Sequence, residues 1–244
     1  MTFIWKNIMI VLGHFKAIDL THPLNSSVPT WSGGCGFTHE IKVDYDQGIR
    51  VMTFKCHAGV GTHMDAPSHF IPGGDDIGGI PLNQLIVPAC VIDLSAKLHP
   101  DLFVMPQDIL DFESRWGRIE PGSLVLVYSG WEKFWNERDR YRNVDASGKM
   151  HFPGYHVEAA ELLLTRGVVG IGIDTFSPDG SNNHPENKYP VHECILGAGK
   201  YIIENAAHLA KMPPKGSYVL ALPPKISIGS ESAIRLVGLI PGLK

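Results

Sequence analysis

The chain has 244 residues, of which 44% are hydrophobic and 19% charged, a composition typical of a folded globular domain. A chain of this length buries about 70% of the surface that it exposes when unfolded, so its fold does not require a disulfide or a metal. The formal net charge is −4 and no basic run occurs, which argues against nucleic acid or an anionic membrane as a partner.

The N-terminal segment contains one apolar run, at 8–12, which is too short for a signal peptide or a membrane span. We therefore expect residues 1–16 to be a poorly ordered extension, with Met9 as an alternative start, and residues 17–244 to form one domain.

The cysteines are widely spaced and form no CxxC pair, which indicates reduced thiols in a cytoplasmic protein. Cys56 precedes His57 and raises the alternative of a Cys/His nucleophile. A buried strand cysteine is the more common role of such a residue.

The predicted elements alternate between strands and a smaller number of helices. Runs rich in β-branched and apolar residues predict strands at 50–57, 60–66, 89–94, 123–128, 168–174, 218–222 and 234–239. Helical patterns occupy 106–116, 155–166 and 192–207, the last containing two glycines. The pattern predicts a single sheet-rich α/β domain of mixed strands with a few flanking helices.

The segment "HAGVGTHMDAPSHF", residues 57–70, places three histidines and an aspartate within fourteen residues. In an extended chain His63 and Asp65 share one face, and His57 joins them if the strand continues unbroken from Cys56. Pro67 forces a turn that can return His69 to the same place.

Imidazole and carboxylate ligands suit zinc, manganese or iron(II) better than calcium or magnesium. The alternative is a pair of strand histidines hydrogen-bonded to an aspartate without a metal. Four such residues with two-residue phasing favour the metal site.

The motif "GTHMDAPSHF" resembles the signature H-x-G-T-H-x-D-x-P-x-H of the metal-dependent cyclase-like hydrolases, which include bacterial kynurenine formamidases and isatin hydrolases. The segments "AIDLTHPL", "VGIGIDTFSPD", "ILGAGKYIIEN", "LALPPKI" and "SAIRLVGL" are similar to other parts of that family, so the resemblance covers nearly everything from Ala17 onward. It implies a swivelling β/β/α fold and a homodimer or homotetramer.

The resemblance also implies a site for one or two divalent ions, with Zn²⁺ expected and Mn²⁺ as the alternative. His63 and Asp65 become ligands, with Asp65 bridging, and a distal helix supplies His192 and Glu204. His69 becomes either a ligand or a proton shuttle.

One position departs from the family pattern, because Gly59 stands where the motif has its first histidine. His57 lies two residues earlier and could replace it if the strand bulges at residues 58–59. Without that bulge one metal position lacks a ligand.

Aromatic residues could wall a substrate pocket, although isolated aromatics more often belong to a core. Trp31 and Trp131 are the preferred candidates, ahead of Phe134 and Trp135. Asp174 follows an apolar strand and is either a site residue or a turn carboxylate, whereas His184 is expected in a solvated loop.

We therefore expect a hydrolase that cleaves an amide C–N bond in a small aromatic or cyclic substrate, as in an N-formylkynurenine formamidase. Metal-activated water would attack, and His69, or His192 if it is not a ligand, would carry the proton to the departing nitrogen. The alternatives are opening of a cyclic amide of the isatin type and a metal-binding paralogue without turnover. No G-x-S-x-G motif is present to support a serine nucleophile.

Overall fold

The computed structural model describes residues 14–180 and 189–242. Its strands are β1 (Phe15–Asp19), β2 (Phe37–Val43), β3 (Val51–Cys56), β4 (His63–Asp65), β5 (Ile86–Asp93), β6 (Phe103–Val104), β7 (Leu124–Tyr128), β8 (Gly154–Tyr155), β9 (Gly170–Ile173), β10 (Tyr201–Glu204), β11 (Ser217–Leu222), β12 (Glu231–Ala233) and β13 (Arg235–Pro241). Its α-helices are α1 (Leu82–Leu85), α2 (Pro106–Trp116), α3 (Arg138–Arg142), α4 (Val157–Thr165) and α5 (Pro190–Gly197).

Within the described residues, nine strands form one mixed sheet in the order β1-β13-β11-β5-β7-β9-β10-β4-β12. The central strands β5, β7, β9 and β10 are parallel, and the strands on both sides of them pair antiparallel. Parallel neighbours need crossover connections, which α2, α4 and α5 supply. The predicted class, a sheet-rich α/β domain with few helices, is confirmed.

The described residues contain three buried apolar clusters, and the sheet curls around one of them. Ile18 on β1 and Met64 on β4 lie near opposite ends of the strand order, yet both belong to the same buried cluster. The second core lies under the helices, where Phe112 and Leu163 pack against Ile171. A curled sheet thus brings β4 and β12 close to the rest of the molecule instead of leaving them as an exposed end.

Two of the three predicted helices are confirmed as α2 and α4, but the helix predicted at 192–207 is wrong. Helix α5 ends at Gly197, and the chain turns through Gly199, which has φ +69°, into strand β10. Tyr201, Ile202 and Ile203 pair with β9, and this tertiary pairing overrides the local helical pattern.

The strand predicted at 60–66 is also shorter than expected, because β3 ends at Cys56 and β4 begins only at His63. Gly61 in the intervening turn has φ +64°, and a β-carbon there would collide with Leu24. The turn is therefore specific to glycine, and the extended path from residue 56 to residue 66 does not occur.

The hairpin of β2 and β3 lies outside the main sheet and exposes Ile41, Val51 and Phe54. The predicted homodimer or homotetramer stays a prediction. The predicted N-terminal extension lies mostly outside the described residues, and β1 begins at Phe15. Among the described helices, none has both the length and the apolar character needed to cross a bilayer.

Candidate metal centre

Strand β4 lies between β10 and β12 and carries the centre of the site. Glu204 on β10 pairs directly with His63, and Glu231 on β12 pairs directly with Asp65. Directly opposite residues point to the same face of an antiparallel sheet. These four side chains therefore share one face, whereas Met64 and Ile203 point to the core on the other.

The imidazole of His63 is oriented by the turn that precedes it. Its Nδ1 lies 2.9 Å from the carbonyl oxygen of Gly61, so Nδ1 donates and Nε2 faces the carboxylates. The Nε2 atom lies 3.1 Å from Glu204 Oε2 and 3.5 Å from Asp65 Oδ1. The same Gly61 oxygen accepts a hydrogen bond from Asn205 Nδ2, which fixes the turn to the end of β10.

The imidazole of His192 is oriented in the same way from the opposite side. It lies in the first turn of α5, and its Nδ1 lies 2.5 Å from Asp179 Oδ2. Its Nε2 lies 3.5 Å from Asp65 Oδ2 and 3.3 Å from Glu204 Oε1. Fixing one ring nitrogen with a carboxylate or carbonyl so that the other is presented is the usual arrangement of metal-ligating histidines.

Asp65 lies between these two Nε2 atoms and is 1% exposed. Neither of its carboxylate oxygens accepts a hydrogen bond, and each has only an ion-pair contact at 3.5 Å with one of the two imidazoles, although buried polar atoms are normally hydrogen-bonded. The surrounding donors are imidazole nitrogens and carboxylate oxygens, which suit zinc, manganese or iron(II). The residues therefore fit a divalent cation.

The charges in the cluster give the same indication. Burial alone would lower the pKa of His63, but the carboxylates of Asp65 and Glu204 raise it to about 10. Burial likewise opposes the charged form of His192, and its contacts with Asp179, Asp65 and Glu204 raise its pKa well above the usual value. Burial would raise the pKa of Asp65, but His63 and His192 lower it. The carboxylates thus favour positive charge between them.

Two groups of donors meet at Asp65. Asp65, His69 and His192 offer ligand atoms within 4.8 Å of one another, and so do His63, Asp65 and Glu231. The 3-10 turn Pro67–His69 returns the chain towards the cluster, as expected from Pro67, and the rings of His69 and His192 are 6.0 Å apart. A carboxylate common to both groups fits the predicted bridging role of Asp65.

The cluster forms the floor of an open cavity of about 440 Å³. Four aromatic side chains are part of its lining: Trp31, Phe70, Phe176 and Tyr189. Trp31 is 45% exposed, and its ring packs edge-on against Phe176. The cavity therefore offers an aromatic surface beside the candidate cation site, which is a typical setting for a small-molecule site.

The structure brings together His63, Asp65, His69, His192 and Glu204, with Glu204 on a strand and not on the expected helix. Trp31 lines the cavity. His57 is exposed beyond the end of β3 and is not among the cavity-lining residues.

The remaining aromatic and acidic candidates from the sequence do not line the cavity. Trp131 is buried and donates from Nε1 to the Tyr141 carbonyl, and Phe134 and Trp135 pack in the same aromatic cluster. Asp174 is buried and accepts hydrogen bonds from Ser129 and Glu132, so its role here is to hold a loop. His184 lies outside the described residues.

Two residues near the metal cluster did not stand out in the sequence. Asp179 is the last residue of the quoted "FSPD", and Glu231 lies in "GSES" just before the closing strands. Each lies far from residues 57–70 along the chain and arrives only through sheet pairing or helix docking. A serine-rich turn bearing a single glutamate before an apolar strand is the one local signal for Glu231, and it is weak.

Comparison with known families and structures agrees with this geometry. Residues 18–180 match the family model named putative cyclase, so the chain belongs to that family. Isatin hydrolase of Roseibium aggregatum is 33% identical over 188 residues, which cover 74% of this chain and 71% of that protein. Kynurenine formamidase of Paracidovorax citrulli is 26% identical, over 90% of this chain and 94% of that protein.

Among solved structures, isatin hydrolase A from Ralstonia solanacearum matches with a TM-score of 0.89 and 30% identity, covering 98% of this chain and 97% of that one. An isatin hydrolase bound to the product analogue thioisatinate matches with a TM-score of 0.88 and 26% identity, covering 98% of each chain. The protein is therefore a hydrolase of this family, and its donor set supports a divalent metal.

Proposed function

We propose that this protein hydrolyses an amide C–N bond in a small aromatic or cyclic substrate, with a divalent cation held by His63, Asp65, His192 and Glu204. The observation that carries the proposal is Asp65, whose two buried oxygens accept no hydrogen bond and lie between the Nε2 atoms of two oriented imidazoles. Zn²⁺ is the cation we favour, with Mn²⁺ as the alternative, and the two donor groups that share Asp65 allow one or two ions.

When bound, such a cation polarises a carbonyl oxygen and lowers the pKa of a water molecule to about 7, so that hydroxide is available at neutral pH. The hydroxyl adds to the carbonyl carbon, the C–N bond breaks, and the nitrogen takes up a proton. The products are a carboxylic acid and an amine.

His69 is the residue that we propose as the proton donor to the departing nitrogen. Its side chain is 28% exposed and lines the cavity, whereas His63 and His192 are buried with Nδ1 already committed to Gly61 and Asp179. An imidazole can donate a proton from either ring nitrogen and is the side chain most often used for general acid catalysis.

The aromatic walls favour a planar substrate. Trp31, Phe70 and Phe176 line the cavity, and planar rings pack well against such side chains. The resemblance to isatin hydrolases over 98% of the chain supports a cyclic aryl amide as the preferred substrate class. The relatives that are kynurenine formamidases support an aryl formamide as the second candidate.

The test is metal removal followed by a substrate panel. Protein dialysed against a strong chelator is assayed with isatin, N-formylkynurenine and a cyclic imide, before and after addition of Zn²⁺ or Mn²⁺. We expect no hydrolysis without metal and recovery with it, because the nucleophile depends on the cation. Activity that survives complete metal removal would contradict the proposal.

Two variants sharpen this test. His63→Gln should abolish both metal binding and activity, whereas His69→Gln should retain the cation held by His63, Asp65, His192 and Glu204 and lose about 10²–10⁴-fold in kcat, the usual contribution of a general acid. Wild-type protein that binds the metal and hydrolyses none of the three substrates would instead support a metal-binding paralogue without turnover.

A further inference from the structure

Gly59, where the family motif has its first histidine, lies in the turn between β3 and β4. A β-carbon at this position would overlap Glu231 Oε1 and lie 3.2 Å from His63 Nε2. The Glu231 carboxylate therefore occupies the space into which a side chain at residue 59 would extend. The carboxylate can occupy this space only because residue 59 is a glycine, and a side chain at residue 59 would displace the carboxylate.

The position of Glu231 in the sheet is unfavourable without a positive charge beside it. It pairs directly with Asp65 across β4 and β12, and like charges directly opposite in a sheet repel each other. One carboxylate oxygen of Glu231 and one ligand atom each of His63 and Asp65 lie within 4.8 Å of one another. The Oε2 atom of Glu231 is 3.7 Å from His69 Nδ1. Asp65, the buried partner in this pair, has no hydrogen bond to either oxygen.

We propose that Glu231 is a metal ligand that replaces the missing histidine of the motif. Residue 59 has no side chain, and the carboxylate of Glu231 on β12 takes the ligand position that the motif gives to a histidine. His57, the residue that could replace this histidine if the strand bulged, is exposed and does not line the cavity. The inference rests on the metal-dependent site proposed above and concerns how this chain completes it.

The exchange of an imidazole for a carboxylate has a chemical consequence. The site gains a negative charge and an oxygen ligand and loses a nitrogen ligand. Oxygen-rich sites bind Mn²⁺ relatively better, and imidazole favours Zn²⁺. Relative to a site with a histidine at 59, this chain should therefore bind Mn²⁺ more favourably in comparison with Zn²⁺.

The test measures metal affinity directly, by competition with a chromophoric chelator, for Zn²⁺ and for Mn²⁺ on the full chain. Glu231→Gln preserves size and removes the charge, and we expect it to weaken both ions by at least about ten-fold. His57→Ala is the matched variant for the rival ligand and should change neither affinity by more than about two-fold. Unfolding in excess chelator, unchanged by Glu231→Gln, excludes a general loss of fold.

A reciprocal variant tests the exchange itself. Gly59→His alone should weaken binding, because the new side chain collides with Glu231. Combined with Glu231→Ala, it should restore Zn²⁺ affinity and reduce the ratio of Mn²⁺ to Zn²⁺ affinity by about ten-fold or more. If the residue 59 variants do not fold, the comparison of Glu231→Gln with His57→Ala decides the question.

Wild-type affinity in Glu231→Gln, or a loss of affinity in His57→Ala, would overturn the proposal while leaving the hydrolase function intact. If the wild type binds metal with the expected dependence on Glu231 but hydrolyses no amide, the ligand assignment stands and the proposed function falls. Failure of the wild type to bind either ion would overturn both.

Discussion

Asp179 accepts hydrogen bonds from the backbone nitrogens of Val191 and His192 at 2.7 and 3.3 Å and lies 2.5 Å from His192 Nδ1. It therefore caps the start of α5 and fixes which nitrogen of His192 faces Asp65. Asp179 can both cap the helix and orient the imidazole, because His192 lies in the first turn of that helix. The orientation of this ligand thus depends on a residue that itself lies outside the donor groups.

We predict that Asp179→Asn lowers metal affinity by about 10–100-fold, the usual effect of losing a partner that orients a ligand. Asp179 accepts with both of its oxygens, whereas asparagine has one accepting oxygen and cannot accept from Val191 and His192 together, so the tautomer of the imidazole is no longer fixed. Chelator competition measures the affinity.

Asp174→Asn is the matched control for this variant. Asp174 is also buried and also accepts hydrogen bonds from a loop, but its partners are Ser129 and Glu132. We expect it to reduce stability and to leave metal affinity within about two-fold of wild type. Equal losses of affinity in both variants would mean that Asp179 acts only through the stability of the fold.

Spacing along the chain predicted the site residues whose geometry is local, whereas His192 and Glu204 were predicted only through the family resemblance. Two-residue spacing on a strand places His63 and Asp65 on one face, and Pro67 turns His69 back, whatever the rest of the fold does. The contacts of Glu231 and Asp179 depend on which strand lies beside β4 and where α5 docks. No local pattern specifies those contacts, so the sequence could not predict them.

At the level of elements, the segment 192–207 shows how tertiary pairing decides between helix and strand. Its apolar residues suit either structure, and its glycines occur where the structure changes. Gly197 closes α5, and Gly199 turns the chain with φ +69° into β10. Because of this change Glu204 pairs with His63 in the sheet.

The two glycines should respond in opposite directions to alanine. We predict that Gly199→Ala lowers the free energy of unfolding by about 1–2 kcal/mol, since a left-handed backbone disfavours an L side chain. Gly197→Ala lies in the helix, where its β-carbon meets only Ile71 at 3.8 Å, and should raise the free energy by about 0.5–1 kcal/mol.

Urea titrations of both variants in excess chelator measure these changes. Gly197→Ala is the internal control, because the two glycines are only two residues apart in the chain but have different backbone conformations. A continuous helix through residue 207 would make both substitutions stabilising, and that result would contradict the helix end described here.

For the whole molecule, composition and periodicity predicted a mixed α/β sheet but neither its strand order nor its curl. The curl follows from apolar faces at opposite ends of the sheet, such as those bearing Ile18 and Met64, burying themselves against each other. Burial of this kind is non-directional, so the apolar character of each strand does not identify its partner. The sequence therefore did not predict that β4 pairs with β10 and β12, which lie far along the chain.

The curled fold also buries His22, which links the start of the chain to the aromatic cluster beside the cavity. Its ring stacks on Trp135 with centroids 3.9 Å apart, and its Nε2 is buried without a hydrogen-bond partner. Burial, with a smaller contribution from the charge of His208, lowers the pKa of His22 to about 3. The unfolded chain binds a proton at this residue near pH 6.5, whereas the folded protein does not until about pH 3.

The sign of the effect on stability follows from this difference. Above pH 6.5 His22 is neutral in both states, and between pH 6.5 and about 3 only the unfolded state gains the proton. The contribution of neutral His22 is therefore complete above pH 6.5 and is lost as pH falls, at a slope of at most about 1.4 kcal/mol per unit.

We predict that His22→Phe, which retains the stack on Trp135, makes the free energy of unfolding fall less steeply than in wild type between about pH 6.5 and pH 4. The gap between the two curves should widen by up to about 3 kcal/mol over that range. Urea titrations in excess chelator keep the metal site out of the comparison, and His39→Phe, at an exposed position on β2, is the control and should follow the wild-type slope. Parallel curves for wild type and His22→Phe would mean that His22 is protonated in the folded protein, and that the ring is not sealed from water as the stack on Trp135 implies.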